Sequence, residues 1–232
     1  PVGLLMIAGE LDISVGATIT AGALITALVS GFYGLPIVVG MLAALAFGAL
    51  VGLINGYLVV KTGVPSFIVT LGTLSIWTAI TLLLFKARTI QGPEMPDEMT
   101  FLGNTFKIGE FQLLYGVIVM VVMYVIFGYI LRNTAWGMHI YAVGDDPNAA
   151  ELSGISTKRV LFSVYLVSGL IIGIAGWITI GRVGSASPNV DPLINLDTIT
   201  AVVIGGTSLF GGRGTLLGTL IGAFIITVVE NG

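Results

Sequence analysis

Long apolar runs separated by short polar or glycine-rich breaks dominate the chain. A helix rises about 1.5 Å per residue, so about 20 consecutive apolar residues are enough to cross the hydrocarbon core of a bilayer. On this basis the sequence predicts six helical spans: Ser14–Ser30, Pro36–Val60, Ser66–Phe85, Gln112–Leu131, Val160–Ile180 and Gly214–Val229. We expect an all-α fold, a polytopic transmembrane helix bundle.

Two breaks in this pattern predict irregular backbone at membrane depth. The apolar piece Asp197–Ile204 is too short to cross and leads into the glycine-rich turn Gly205–Gly214. The stretch Glu10–Gly16, ahead of the first span, has the same character. Such backbone is tolerated only where protein buries it or where it lines a wet cavity. We therefore predict broken or re-entrant segments at both places, and we hypothesise that they are corresponding positions of two halves, as around a transport site.

The composition agrees with a chain whose solvent is lipid. Hydrophobic residues make up 56% of it and charged residues only 9%, against about 25% in soluble proteins, and the mean hydropathy is +1.05. A net charge of −3 gives no basic field for nucleic acid. The chain has no cysteine, and His139 is its only histidine. We predict no metal site, no cofactor and no enzyme activity.

Two long polar segments, Lys86–Phe111 and Arg132–Arg159, are separated by one predicted span and so lie on opposite faces of the membrane. Following the chain back and forth across the membrane divides the basic residues between its two faces. One face carries Lys61, Arg132, Lys158, Arg159 and Arg213, and the other carries Lys86, Arg88, Lys107 and Arg182. This division is too even for the positive-inside rule to give the orientation.

Glycines spaced four residues apart predict close helix packing. They form two ladders: Gly48, Gly52 and Gly56, and Gly214, Gly218 and Gly222. Each ladder lies on one helix face, where it lets a neighbouring backbone approach. The ladders indicate packing and carry no information on substrate.

Polar and amphipathic residues near the breaks are the candidates for a substrate path. Carboxylates near membrane depth usually mark function, but Asp12 or Ser14 also suits the cap of the helix that follows, and we favour the cap for Asp12. The hydroxyls of Ser66, Thr70, Thr73 and Thr81 share one sector of a span, where they either bond to their own helix or line a polar path. The candidate set is Glu10, Asp12, Ser14, Asn55, Ser66, Thr70, Thr73, Trp77, Asn195, Asp197, Thr207 and Ser208.

Arg213 stands just before a predicted helix start, where the helix dipole disfavours a cation. Two interpretations remain open. The side chain reaches water, which we favour, or it is buried and pairs with Asp12 or Glu10 if the two breaks face each other.

The segment Gly137–Ile155 predicts a short helix between two spans. Asp145 or Asp146 suits its cap, Pro147 its first turn and Gly154 its end. It is too polar to cross the membrane, and the small residues Ala149 and Ala150 let a partner surface approach, so we expect it to dock into another protein. The chain has no Gly-x-x-x-x-Gly-Lys-Ser/Thr loop and does not bind ATP in that way.

This segment resembles the cytoplasmic coupling loop of permeases in ATP-binding-cassette importers of the ribose/xylose/galactose type. The resemblance extends, in family order, to the blocks Gly9–Gly16, Pro65–Gly72 and Ala201–Gly214. It implies coupling residues, which we assign to Gly144, Asp145, Asp146, Pro147, Asn148, Ala149, Ala150, Glu151, Ser153, Gly154 and Ile155. It also implies a structural turn at Gly205, Gly206, Gly211, Gly212, Arg213 and Gly214.

From the resemblance we expect an integral protein of the cell membrane that moves a pentose or hexose. The implied partners are a second permease, identical or paralogous, cytoplasmic ATPase subunits, and an external sugar-binding protein. Residues 1–232 would form one permease domain, part of a longer chain, with residues 132–159 as its cytoplasmic coupling loop. The alternative functions are an ion-coupled secondary transporter, with a cation or proton bound at Glu10, Asp12 or Asp197, and a passive channel.

Overall fold

The computed structural model describes residues 1–86, 88–91, 95, 97–108, 111–191 and 193–231. Part of the predicted loop Lys86–Phe111 lies outside these residues. The α-helices are α1 Val2–Ile7, α2 Val15–Ala27, α3 Ile37–Thr62, α4 Ser66–Phe85, α5 Tyr115–Asn133, α6 Ala135–Asp145, α7 Pro147–Leu152, α8 Thr157–Val183, α9 Leu193–Ile204 and α10 Leu216–Asn231. A π-helical turn, Leu28–Phe32, extends α2, and a 3₁₀ helix spans Asp97–Gly103. The strands are β1 Ile90–Gln91, β2 Thr105–Ile108, β3 Phe111–Leu114 and β4 Ser185–Ala186.

Five of these helical segments are long and apolar enough to cross a membrane, counted over the described residues: Val15–Phe32, Ile37–Thr62, Ser66–Phe85, Tyr115–Asn133 and Thr157–Val183. The expected all-α, polytopic bundle is therefore confirmed. The sixth predicted span begins two residues later than expected, at Leu216, because Gly214 belongs to the preceding turn with a φ of 150°. Helix α10 then has 16 residues, or roughly 24 Å at 1.5 Å each, against a hydrocarbon core of about 30 Å.

Four of the six ladder glycines (Gly48, Gly52, Gly218 and Gly222) pack against neighbouring backbone, as predicted. Gly56 instead faces the Tyr165 side chain, and Gly214 lies in the turn before α10, so it does not share a helix face with Gly218 and Gly222. A Cβ added at Gly48 would overlap the carbonyl oxygen of Gly169, so α3 and α8 touch backbone to backbone. A Cβ at Gly218 would overlap the carbonyl oxygen of Gly205. Helix α10 therefore folds back closely along α9, and the turn between the two helices is tight.

The segments around β1 and the 3₁₀ helix pack on the far end of α8. Ile90 of β1 pairs with Ala186 of β4, and a Cβ at Gly181 would lie 2.6 Å from the Gly103 nitrogen. This places the described part of the Lys86–Phe111 loop on the same face as Arg182. This placement agrees with the membrane face that we assigned to this loop and to Arg182 from the order of the spans.

The polar segment Arg132–Arg159 contains two helices, α6 and α7, where we expected a single short one. Ile140 and Val143 of α6 are buried in a cluster with residues of α1 and with Tyr165 of α8. Helix α1 was not predicted either, although every one of its residues is buried. Helices α1 and α6 therefore pack in the same buried cluster as residues of the spans.

Candidate functional site

The turn between α1 and α2 is held by side chains from other helices. The backbone N–H of Leu11 donates to Ser66 Oγ of α4 at 3.0 Å, and that of Ile13 donates to Thr70 Oγ1 at 3.1 Å. At the start of α2, the Gly16 N–H donates to Asn195 Oδ1 of α9 at 3.0 Å. The irregular backbone of this turn is thus satisfied by protein, as membrane depth requires.

Asp12 is the centre of a buried polar cluster and only 4% exposed. Its Oδ1 accepts from the Ser14 N–H at 2.7 Å and from the Ser14 hydroxyl at 2.6 Å. Its Oδ2 accepts from Asn55 Nδ2 at 3.4 Å, and the same nitrogen donates to Ser14 Oγ at 2.9 Å. Asp12 therefore orders the turn that leads into α2, and Ser14 takes the N-cap position that we favoured for Asp12.

Asn55 leaves one polar atom in this cluster unsatisfied. The residue is fully buried, and its Oδ1 has no hydrogen-bond partner among the described residues. A buried carbonyl oxygen without a donor costs about 1–3 kcal/mol. The cluster therefore holds one unused acceptor in its buried interior.

The hydroxyls along α4 bond mainly to their own helix. Thr70 Oγ1 donates to the Ser66 carbonyl at 2.9 Å, and Thr73 Oγ1 donates to the Thr70 carbonyl at 3.2 Å. Thr81 Oγ1 donates to the Trp77 carbonyl at 2.7 Å. These bonds favour the interpretation in which the α4 hydroxyls bond to their own helix. Ser66 and Thr70 also hold the α1–α2 turn. A path role for these hydroxyls stays a prediction.

Among the described residues, the remaining path candidates form no hydrogen bond with Asp12, Ser14 or Asn55. The Trp77 ring packs edge-on against Phe47, with centroids 5.1 Å apart. Thr207 is buried against Gly214, and Ser208 Oγ accepts the Phe210 N–H at 3.1 Å. Asp197 is half-buried on α9. Glu10 is half-buried and lines a cleft that also touches Ser66.

Arg213 is exposed, and no ion pair joins it to Asp12 or Glu10 in the part of the chain that the structure describes. The Asp12 cluster uses neutral donors from Ser14 and Asn55 instead. The interpretation that we favoured, an arginine that reaches water, agrees with this placement. The pairing hypothesis has no support here.

The α1–α2 and α9–α10 turns nevertheless come together. They meet at Gly144, the first residue of the segment that we assigned to coupling, Gly144–Ile155, which we call the coupling segment. The Gly212 N–H donates to the Ile7 carbonyl at 2.9 Å. A Cβ at Gly144 would overlap that same carbonyl, and one at Gly211 would lie 2.7 Å from Gly9 Cα and 2.5 Å from the Gly144 oxygen. We call Gly9, Gly144, Gly211 and Gly212 the glycine junction. Its members touch through backbone, so there is no flexible side chain between the coupling segment and the two turns.

A tyrosine hydroxyl reinforces the junction. Tyr141 Oη donates to the Gly214 carbonyl at 2.8 Å, joining α6 to the α9–α10 turn. Burial raises the pKa of this hydroxyl, and the nearby Arg132 partly opposes the shift. Tyr141 therefore stays neutral and remains a donor at physiological pH.

The coupling segment begins as predicted. Asp146 Oδ1 accepts the N–H groups of Asn148 and Ala149 at 2.9 and 3.0 Å, with Pro147 at the first position of α7. Gly154 follows the helix with a φ of +86°. Eight of the assigned coupling residues are exposed: Asp145, Asp146, Pro147, Asn148, Ala149, Glu151, Ser153 and Gly154.

Ala150 corrects our expectation of an open small-residue face. It is 4% exposed and belongs to the buried cluster beneath α7, whereas Ala149 beside it is exposed. Gly144 is also buried, in the glycine junction, and Ile155 is half-buried. A bulky residue at Ala150 would disturb the permease itself, so that change cannot test docking.

Two large apolar side chains were missed. Leu152 of α7 is 91% exposed and Phe210 of the α9–α10 turn is 93% exposed. Helix geometry places Leu152 about 200° around α7 from Ala150, but we expected Ala150 to be open, so the sequence did not identify Leu152 as the exposed side chain. Phe210 lies in the predicted glycine-rich turn, outside the spans, but nothing in the sequence shows that the turn leaves its side chain exposed.

Comparison with known proteins matches residues 1–232 to the family described as "Branched-chain amino acid transport system / permease component". The chain is 44% identical over 232 residues to the fructose import permease protein FrcC of Rhizobium meliloti, covering 99% of this chain and 64% of that protein. It is 36% identical over 231 residues to the ribose import permease protein RbsC of Haemophilus influenzae, covering 98% and 70%. It is 34% identical over 202 residues to the galactose/methyl galactoside import permease protein MglC of the same organism, covering 85% and 60%.

The chain thus spans 64% of the fructose, 70% of the ribose and 60% of the galactose permease. No solved structure matches it.

Proposed function

Because this chain belongs to the family of transport-system permease components, we propose that it is the membrane-spanning subunit of an ATP-driven, binding-protein-dependent monosaccharide importer. The observation that carries the proposal is the 44% identity to a fructose import permease over 99% of the chain. The chain is a multi-pass membrane protein, with five helical segments long enough to span. We place it in the inner membrane, where its relatives' transport function requires it.

The substrate class follows from the relatives rather than from the family description. That description mentions branched-chain amino acids, whereas the three relatives above are named for fructose, ribose and galactose. Neutral groups suit a sugar, because hydroxyls need hydrogen-bond partners and no opposite charge. The Ser66 hydroxyl, which lines a cleft in the described part of the chain, is a group of this kind.

The proposed mechanism starts at α7. An ATPase subunit docks on α7 from the cytoplasm and moves it during the ATP cycle. Gly144 at the end of α6 touches both the Ile7 carbonyl and the Gly212 nitrogen, so the movement reaches the α1–α2 and α9–α10 turns together. The first turn carries Asp12 and is bonded to α4, so α4 would follow.

The implied assembly is a pair of permeases with two ATPase subunits and an external sugar-binding protein. In this assembly residues 1–232 act as one permease domain and residues 132–159 as its cytoplasmic coupling loop. The chain itself performs no chemistry on ATP. It converts the movement of the ATPase into alternating access to a path between the two permeases.

The test is uptake in cells that carry the full-length permease with its transport partners. We expect uptake of a labelled pentose or hexose, no uptake of labelled leucine, and loss of uptake when the ATPase is inactivated. An uncoupler at constant ATP should have little effect. Leucine uptake, or sugar uptake that survives ATPase inactivation but stops with the uncoupler, would overturn the proposal.

A further inference from the structure

The α9–α10 turn presents a large apolar side chain to its surroundings. Phe210 is 93% exposed and its neighbour Leu209 is 47% exposed. The two stand between glycines, at a position where the chain reverses direction between α9 and α10. An aromatic side chain fixed in this way is the kind of group that anchors protein interfaces.

The turn that carries Phe210 is internally bonded and fixed to the rest of the permease. The Ser208 N–H donates to the Arg213 carbonyl at 2.9 Å, and Ser208 Oγ accepts the Phe210 N–H at 3.1 Å. Beyond Phe210, the Gly212 N–H donates to the Ile7 carbonyl. Phe210 is therefore presented on a pre-formed turn, which lowers the ordering cost of binding.

The turn is continuous with the coupling segment. A Cβ at Gly212 would lie 2.7 Å from Asp145 Cα, so the turn contacts the end of α6, just before the Asp146 N-cap of α7. Leu209 and Glu151 of α7 also line the same cleft of about 450 Å³, together with Lys158. Helix α7 and the α9–α10 turn are thus neighbouring parts of one surface.

The charges around this surface favour a protein over lipid headgroups. This surface carries exposed acids (Asp145, Asp146 and Glu151), exposed bases (Lys158 and Arg213) and the exposed apolar side chains Leu152 and Phe210. A mixed-sign rim around an apolar centre is the usual anatomy of a protein interface. The anionic surface of the cytoplasmic leaflet attracts bases but repels acids.

We propose that the α9–α10 turn is a second docking element for the ATPase subunit, with Phe210 as its anchor beside Leu152 of α7. The inference rests on the proposed function, because the occupant is the subunit that docks on α7. Two contacts on one rigid surface resist rotation of the partner, so they pass on its movement more completely than α7 alone.

The first test places a photo-crosslinking phenylalanine analogue in the full-length permease, in membranes that contain its partners. One probe replaces Phe210, one replaces Leu152, and a control replaces Phe32, which is 72% exposed at the opposite end of α2. We expect the Phe210 and Leu152 probes to capture the ATPase subunit and the Phe32 probe not to capture it.

The outcomes separate the two proposals. If the Leu152 probe captures the ATPase while the Phe210 probe captures lipid or a second permease, the inference fails and the proposed function stands. If neither probe captures the ATPase, docking through this surface fails altogether.

The second test measures affinity of the ATPase subunit for purified full-length permease. Replacing an interface anchor commonly weakens binding by about 30-fold or more, so we expect this from Phe210→Ser. Phe210→Tyr should keep most of the affinity, and Phe32→Ser should leave it unchanged. Unchanged affinity in a folded Phe210→Ser permease would contradict the second docking element.

Discussion

The glycine junction predicts that two glycines in the same turn differ sharply in their tolerance of alanine. Gly206 and Gly211 have nearly the same backbone conformation, with φ values of +85° and +87°. A Cβ at Gly206 would have nothing within 4 Å, whereas one at Gly211 would meet Gly9 Cα at 2.7 Å and the Gly144 oxygen at 2.5 Å. The backbone strain is therefore shared, and only Gly211 adds an overlap.

The expected losses of stability follow from the backbone strain at both glycines and from the overlap at Gly211. An alanine in the left-handed region costs about 1–2 kcal/mol, and overpacking costs about 1–3 kcal/mol more. Gly206→Ala should therefore lower the free energy of unfolding by about 1–2 kcal/mol, and Gly211→Ala by about 2–5 kcal/mol. The overlap cannot be relieved by a rotamer change, because the atoms that Gly211 meets belong to backbone.

The assay is unfolding of the full-length permease in mixed micelles by increasing SDS, with helix content as the signal. The parent protein and the two alanine variants are compared under one condition. Equal losses of stability in Gly206→Ala and Gly211→Ala would refute the contact between the two turns and α6. So would a Gly211→Ala variant that is as stable as the parent.

Three further predictions follow from the site. Asp12→Ala should lower the free energy of unfolding by about 2–3 kcal/mol, because the buried donors of the cluster lose their acceptor; the same SDS titration measures it, and an unchanged midpoint would argue against the cluster. Ala150→Trp should destabilise the permease by about 3 kcal/mol, because the site is buried and would be overpacked. Ala149→Trp should fold normally and lose ATPase association in a pull-down. The reverse result would contradict the placement of α7. A cysteine at Asn148 should react with an impermeant thiol reagent only from the cytoplasm, and one at Glu98 only from outside, while the opposite labelling would invert the orientation.

The spans were predictable because their signal is local. Apolar length alone gave Ser66–Phe85 with both of its bounds correct. The glycine spacing likewise gave the contacts of Gly48 and Gly218, although not which helices they meet. Helix α6 was missed because charged neighbours marked its segment as a loop, while its apolar residues Ile140 and Val143 lie one turn apart on a buried face.

The sequence predicted which residues belong to the candidate site, but not which of them are in contact. Asp12 and Asn55 are 43 residues apart, and their contact depends on the packing of α3 beside the α1–α2 turn. The opposition of Gly9, Gly144 and Gly211 depends in the same way on three distant segments. Leu152 was missed for the same reason: helical geometry places it opposite Ala150, but the burial of Ala150 depends on packing against other segments.

The central claim is that ATP hydrolysis on the side of α7 drives a sugar through this permease. The most direct measurement is accumulation of a labelled monosaccharide in proteoliposomes that contain the full-length permease and its ATPase, with the sugar-binding protein outside. Sugar should accumulate against its gradient only when ATP is enclosed with the ATPase, and not when a proton gradient is imposed without ATP. Accumulation driven by the proton gradient in vesicles that lack ATP would contradict the account.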